Sequence, residues 1–161
     1  MTNPFLLALF GLILFACGGP DAQAPHPERP VDERRATEVI AGAFSHAGVD
    51  PESNRDVKVL GGKTIHLEVA ASGHKYGVAY LTREDQSALG DSLPKRQPDS
   101  DALIIIPGDE DGVHVLVLFE GDYKQDDLTG EAHTETNIAA ELKLERDVKD
   151  FLRKATHDQW P

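Results

Sequence analysis

Between residues 32 and 47 apolar side chains return every three or four positions: Ala36, Val39, Ile40, Ala43, Phe44 and Ala47. That period places them on one stripe of a helix. Asp32 and Glu33 suit its electropositive start, and Gly48 with Asp50-Pro51 suits its end. The period then changes to two. Val57-Lys58-Val59-Leu60 and the stretch from Thr64 to Val69 alternate apolar with polar, as strands with one apolar face do. The two faces coincide only if paired positions have an even sum, as Val59 with Ile65 does. An odd loop follows, here three residues, 61–63, with a glycine at positive φ. Residues 70–74 turn the chain into a third strand, 75–81.

Thr82 followed by Asp85 is a capping-box pattern, so a short helix is expected to Leu89, ending at Gly90. Pro94 and Pro98 mark a surface loop. Ala102 to Ile106 is wholly apolar, Asp111-Gly112 is a hairpin signal, and Val113 to Phe119 returns. Both strands read as central, covered on both faces. An acidic loop, 120–133, leads to a last helix at about 136–155, with Ile138, Leu142, Leu144, Val148, Phe151, Leu152 and Ala155 as its buried side. Glu145 with Lys149, and Asp150 with Lys154, are four-apart ion pairs in the favoured orientation. The order is α-β-β-β-α-β-β-α. It predicts an α+β domain of two layers, a mainly antiparallel five-stranded sheet with helices packed on it.

The beginning of the chain has a different texture. Phe5 to Ala16 is twelve apolar residues or glycine without a charge, too short to span a bilayer and right for the core of a signal peptide. It ends in Leu14-Phe15-Ala16-Cys17, which resembles the lipobox of bacterial lipoproteins. The resemblance covers residues 1–19. It implies cleavage before Cys17, acylation of its thiol and of the new amine, and a lipid bilayer as the partner that holds the chain. Acyl chains anchor because each buried methylene adds about 0.8 kcal/mol. Cys17 is the sole cysteine of the 161 residues, so no disulfide competes for it. Gly18 follows where an aspartate serves as a retention signal in some bacteria, so the outer membrane is the favoured address within the cell envelope. Residues 18–30 hold Pro20, Pro25, Pro27 and Pro30, which favour an extended tether reaching up to about 40 Å. The expected organisation is therefore a signal peptide, 1–16, a lipidated cysteine and tether, 17–30, one domain, 31–157, and a tail, 158–161, that includes Trp160.

The net charge of −12 argues against a nucleic-acid partner, whose phosphates need a basic surface. No cofactor motif is present and no cofactor is expected. His66 and Glu68 alternate onto one strand face, and His114 lies on a strand that could neighbour it. A His-Glu-His set can hold a metal with an open water position, which would make a metal-assisted hydrolase. The alternative is a solvent-facing His66 and Glu68 and a satisfied core His114. Tyr76 and Tyr80 share a strand face, either as sheet packing or as a binding surface. The carboxylate-rich stretches 109–112 and 122–127 match no calcium loop, since Lys124 takes a ligand position.

Over residues 31–157 the element order resembles that of type III secretion chaperones. That resemblance implies an α+β fold. Taken together, the sequence predicts a lipid-anchored, non-catalytic binding module with an envelope protein as a possible partner. The alternatives are the His66/Glu68/His114 hydrolase and an envelope assembly or chaperone-like factor.

Overall fold

The computed structural model describes residues 28–59, 61–95, 102–110, 112–126 and 131–161. The elements in chain order are β1 (Glu28–Pro30), α1 (Glu33–His46), β2 (Pro51–Glu52), β3 (Arg55–Val59), β4 (Lys63–Leu67), β5 (Val69–Ala71), β6 (Tyr76–Leu81), α2 (Arg83–Leu89), β7 (Ile104–Pro107), β8 (His114–Phe119), β9 (Lys124–Asp126) and α3 (Glu131–His157). The fold is α+β: a mainly antiparallel five-stranded sheet, ordered β2-β5-β6-β8-β7, carries the helices.

Helix α1 starts where the sequence places it. Asp32 is its cap, its carboxylate accepting from the N–H groups of Arg34 and Arg35 at 3.1 and 3.4 Å. Ala36, Ile40, Ala43 and Phe44 form its buried stripe, and Gly48, at φ 74°, reverses the chain after it. The capping box of α2 is also formed, Thr82 with Asp85 in both directions.

The sheet is built around β6 and β8, which run parallel with Tyr76 opposite His114 and Leu81 opposite Phe119. Alternation divides their side chains between two cores. Tyr76, Val78, Tyr80, Leu116 and Leu118 face α1 and α3. Ala79, Leu81, Val115, Val117 and Phe119 face the other way, toward Val57, Val59, Ile65 and Leu67. Apart from His114 at the start of β8, both strands are made of apolar residues, tyrosine and glycine, as strands covered on both faces are. Of the two strands expected to be central, only β8 is. Strand β7 is at the edge, pairs only with β8, and buries Ile106 alone. Its apolar run is half-covered rather than enclosed.

The stretch expected as one strand, 64–69, is two. It breaks at Glu68. Strand β4 leaves the sheet and pairs with β3 as a separate ribbon, while β5 stays in the sheet beside β6. The ribbon's parity and three-residue loop are the expected ones, but the loop lies one residue earlier, at 60–62. Val57, not Val59, lies opposite Ile65, and Val59 lies opposite Lys63. Gly61 and Gly62 both take positive φ, 90° and 72°. The ribbon folds back across the sheet, joined to the end of β7 by the Asp109 N–H, which donates to the Lys58 carbonyl at 2.8 Å, and lying close over Gly77. A Cβ at Gly77 would lie 2.7 Å from Leu67 Cδ1 and 2.8 Å from the Val69 carbonyl oxygen. The sheet's fifth strand is instead β2, which begins at Pro51, read from sequence as part of the exit from α1.

The two ends of the described chain are both tied down. Residues 28–30, expected as the last of the tether, pair with β9. Val31 donates its N–H to the Tyr123 carbonyl at 2.9 Å. The acidic loop around Tyr123 is thus partly core: the ring is buried and its hydroxyl donates to Asp147 at 2.9 Å. At the other end Trp160 docks. It stacks on His114, ring centroids 3.9 Å apart, and meets Tyr76 and Phe151 edge-on or tilted. The Lys75 N–H donates to the Pro161 carbonyl at 2.7 Å.

Candidate functional site

The three residues proposed to share a metal do not meet. His66 stands on the solvent side of the ribbon, its Nδ1 2.8 Å from Asp56 Oδ1. Glu68 sits in the break between β4 and β5, buried at 8% exposure, and its carboxylate accepts the N–H of Tyr80. His114 pairs with Tyr76, four residues or about 13 Å back along β6, and is stacked under Trp160. Among the described residues no three His, Cys, Asp or Glu side chains are gathered as a metal would require. The physical reason is the ribbon. A continuous strand 64–69 would have kept His66 in the sheet with Glu68. Folding the ribbon over turns His66 outward.

Glu68 has a structural task instead. Continuing the β5 register would set Leu67 opposite Tyr80, but Leu67 has left with the ribbon. The Tyr80 N–H would be an orphan in the core, at a cost of about 1–3 kcal/mol. The Glu68 carboxylate takes the place of the missing strand. Burial pushes its pKa up to about 7, against the lowering effect of the bond from Tyr80.

Tyr76 and Tyr80 are core residues, not a contact surface. Tyr80 donates its hydroxyl to the Val31 carbonyl at 2.8 Å, and Tyr76 packs edge-on against Phe151. Burial raises both phenols and lowers His114. Ser45 donates to the Ala41 carbonyl within its own helix.

The opening on the surface that sequence reasoning missed lies between α1 and α3. The two helices are clamped at one end by Arg35, whose Nε and Nη2 both lie 2.7 Å from the Glu141 carboxylate. That bidentate bond, with a second to Glu38, raises the guanidinium further above its already high value. Farther along, Glu145 bridges His46 at 3.5 Å and Lys149 at 2.6 Å, and Lys149 first, then His46, holds its carboxyl below the usual range. Between and beyond these clamps runs a groove. Its narrow part, of about 260 Å³, includes Val39, Gly42, Ile138 and Leu142. Its wide part, of about 850 Å³, shares His46, Leu142 and Glu145 and adds Val49, Arg146 and Arg153.

Ile138 and Leu142 were expected inside. They are 50% and 57% exposed, the exposed large hydrophobic residues of the described chain. The buried stripe of α3 is Ala140, Leu144, Val148, Phe151, Leu152 and Ala155. At 3.6 residues per turn Leu142 lies about 160° around the helix from Leu144. That angle was the available signal: an apolar set too broad for one face includes residues that belong to another.

Cys17 lies outside the described residues, as do Asp111 and Asp127 of the acidic stretches. Among the described residues no helix is long and apolar enough to cross a membrane. Comparison with protein-family models, with curated proteins and with solved structures finds no match to this chain.

Proposed function

We propose that the chain is a bacterial lipoprotein held to the cell envelope by acylated Cys17, and that its acidic α+β domain is a non-catalytic binding module. The observation that carries the reading is the position of the single cysteine: it closes a charge-free apolar run of signal-peptide length, after an alanine. A proline-rich stretch then spaces the domain from the bilayer. The groove between α1 and α3 supports the binding half of the reading. It is concave and partly apolar, and it is flanked by charged groups that could orient a partner. The same groove favours a second reading, an assembly or chaperone-like factor for another envelope protein, with the outer membrane as the preferred location in either case.

The test is metabolic labelling with an alkyne-bearing fatty acid. The parent chain is expected to take up label and stay in the membrane fraction. Cys17→Ser should lose both. Equal labelling or equal retention of the two chains would end the anchor reading.

A further inference from the structure

Among the described residues Glu68 is the one buried side chain outside the apolar and tyrosine set. It stands where the chain changes partners. Leu67 before it pairs with Arg55 in the ribbon, and Val69 after it pairs with Val78 in the sheet. Tyr80, two residues beyond Val78, repeats its orientation. In an antiparallel ladder a residue so placed offers its N–H and its carbonyl to the same side. A strand opposite it would accept from the one and donate to the other. The Glu68 carboxyl stands there instead and accepts the Tyr80 N–H. Ionised, a carboxylate can only accept; protonated, it accepts and donates. The neutral form is the fuller substitute for a strand, and burial favours it as well.

The charged groups of the surrounding elements do little to hold the ionised form. On α1, Glu33 acts on it with a like charge. On β4, His66 favours the carboxylate, but its own Nδ1 lies 2.8 Å from Asp56 Oδ1. On β3, Arg55 donates to the His74 carbonyl at 2.8 Å. On β6, Tyr80 carries its hydroxyl to the Val31 carbonyl, and Asp32 and Glu120 act on that phenol with further negative charge. On β2, Glu52 is exposed opposite Ala70.

We propose that the proton on Glu68 is a latch: it closes the near end of the β3–β4 ribbon over the sheet, and its loss opens the seam between β4 and β6. The far end of the ribbon is held by other groups. Lys63 Nζ donates to the Leu89 carbonyl at 3.1 Å, and the Asp109 N–H to the Lys58 carbonyl at 2.8 Å. The near end is held by Leu67, packed over Gly77, and by Glu68 on Tyr80. An ionised carboxylate regains its solvation by turning out to water. Leu67 is its neighbour in the chain, so that turn draws Leu67 from Gly77 and releases the Tyr80 N–H. The slot so opened is lined by Leu67, Ala70 and Ala79, all apolar. It is shut in acid and open to water above neutrality. The latch depends neither on the lipid anchor nor on the α1–α3 groove.

Amide hydrogen exchange of the purified full chain, read residue by residue at pH 5 and pH 8, tests the latch. The Glu68 carboxyl titrates at 4.5 when solvated and at about 7 in the closed seam. The closed state therefore holds the proton more tightly and is weakened as pH rises. Corrected for the intrinsic exchange rate, the opening constant at the Tyr80 N–H should rise about 70-fold between the two pH values. Ile40 in α1 and Leu144 in α3 report whole-chain unfolding and should stay at least about tenfold better protected than Tyr80. Glu68→Gln keeps an acceptor and a donor with no proton to lose, so its Tyr80 N–H should open equally at both pH values. Equal opening constants for Tyr80, Ile40 and Leu144 would mean that the seam parts only when the whole chain unfolds, and would overturn the proposal. So would a rise of less than about threefold in the parent, or a Glu68→Gln chain with the parent's pH dependence. The first two of these outcomes need only the parent, so the test stands even where the variant fails to fold.

Discussion

The two faces of the five-stranded sheet are covered by different devices. On one face the β3–β4 ribbon lies close, with Leu67 against Gly77 and Val57, Val59 and Ile65 buried beside it. The other face carries α1 and α3. Two cylinders touch along a line, so their outer surfaces diverge and leave a groove. The ribbon side has an opening of about 430 Å³ at its rim, lined by Gln86, Gly90, Leu93 and Phe119, and the helical side has the longer groove of about 260 and 850 Å³ along the α1–α3 seam. The groove is where Ile138 and Leu142 stand exposed, while the ribbon buries Val57, Val59, Ile65 and Leu67.

Substitutions sharpen this contrast by their size. Leu67→Ala removes the side chain that closes the ribbon over the sheet, and should cost about 2–5 kcal/mol, read as a fall in the urea midpoint at constant slope. Gly77 has no side chain that could move into the vacated space, so the upper part of that range is expected.

The next effect is one of pH, at the seam where ribbon and sheet part. Glu68 has its pKa raised from 4.5 to about 7. The folded state therefore holds this proton more tightly than the unfolded chain. Its contribution is complete below about pH 4.5, is lost as pH rises to about 7, and is level above. The full difference is about 3 kcal/mol. Glu68→Gln keeps an acceptor for the Tyr80 N–H and removes the charge. Urea unfolding at pH 5 and pH 8 should show the variant gaining on the parent at the higher pH. An equal difference at both pH values would refute the assignment.

On the helical side the effects are smaller. Arg35→Ala breaks the clamp to Glu141, but the arginine is half-exposed, and about 0.5–1 kcal/mol is expected from thermal unfolding. Leu142→Ser should change the stability of the isolated subunit by less than about 0.5 kcal/mol, because the side chain buries little within it. A loss comparable to that of Leu67→Ala, at a concentration where the chain is monomeric, would show that the groove is core and would erase the contrast.

Most of the helical layer could be read from residues. The stripe of α1, its acidic start at Asp32 and Glu33, and the capping box of Thr82 and Asp85 depend on spacing within one or two turns. The site was harder. His66 and Glu68 alternate correctly for one strand face, yet the chain breaks between β4 and β5, and the two take different surroundings. Ile138 and Leu142 were hidden by a stripe drawn too wide. Trp160 belongs to the Tyr76, Phe151 and His114 cluster, a placement set by residues far away in the chain.

By itself the sequence determined the class of fold, the parity of the β3–β4 loop and the starts of α1 and α2, because each follows from period, cap and turn chemistry between near neighbours. Only the tertiary structure decided that the 64–69 stretch would divide at Glu68, that β2 would complete the sheet, and that a groove would remain between α1 and α3. Those outcomes depend on which apolar faces find each other across the sheet, and Gly77, which has no side chain, leaves the room that Leu67 occupies.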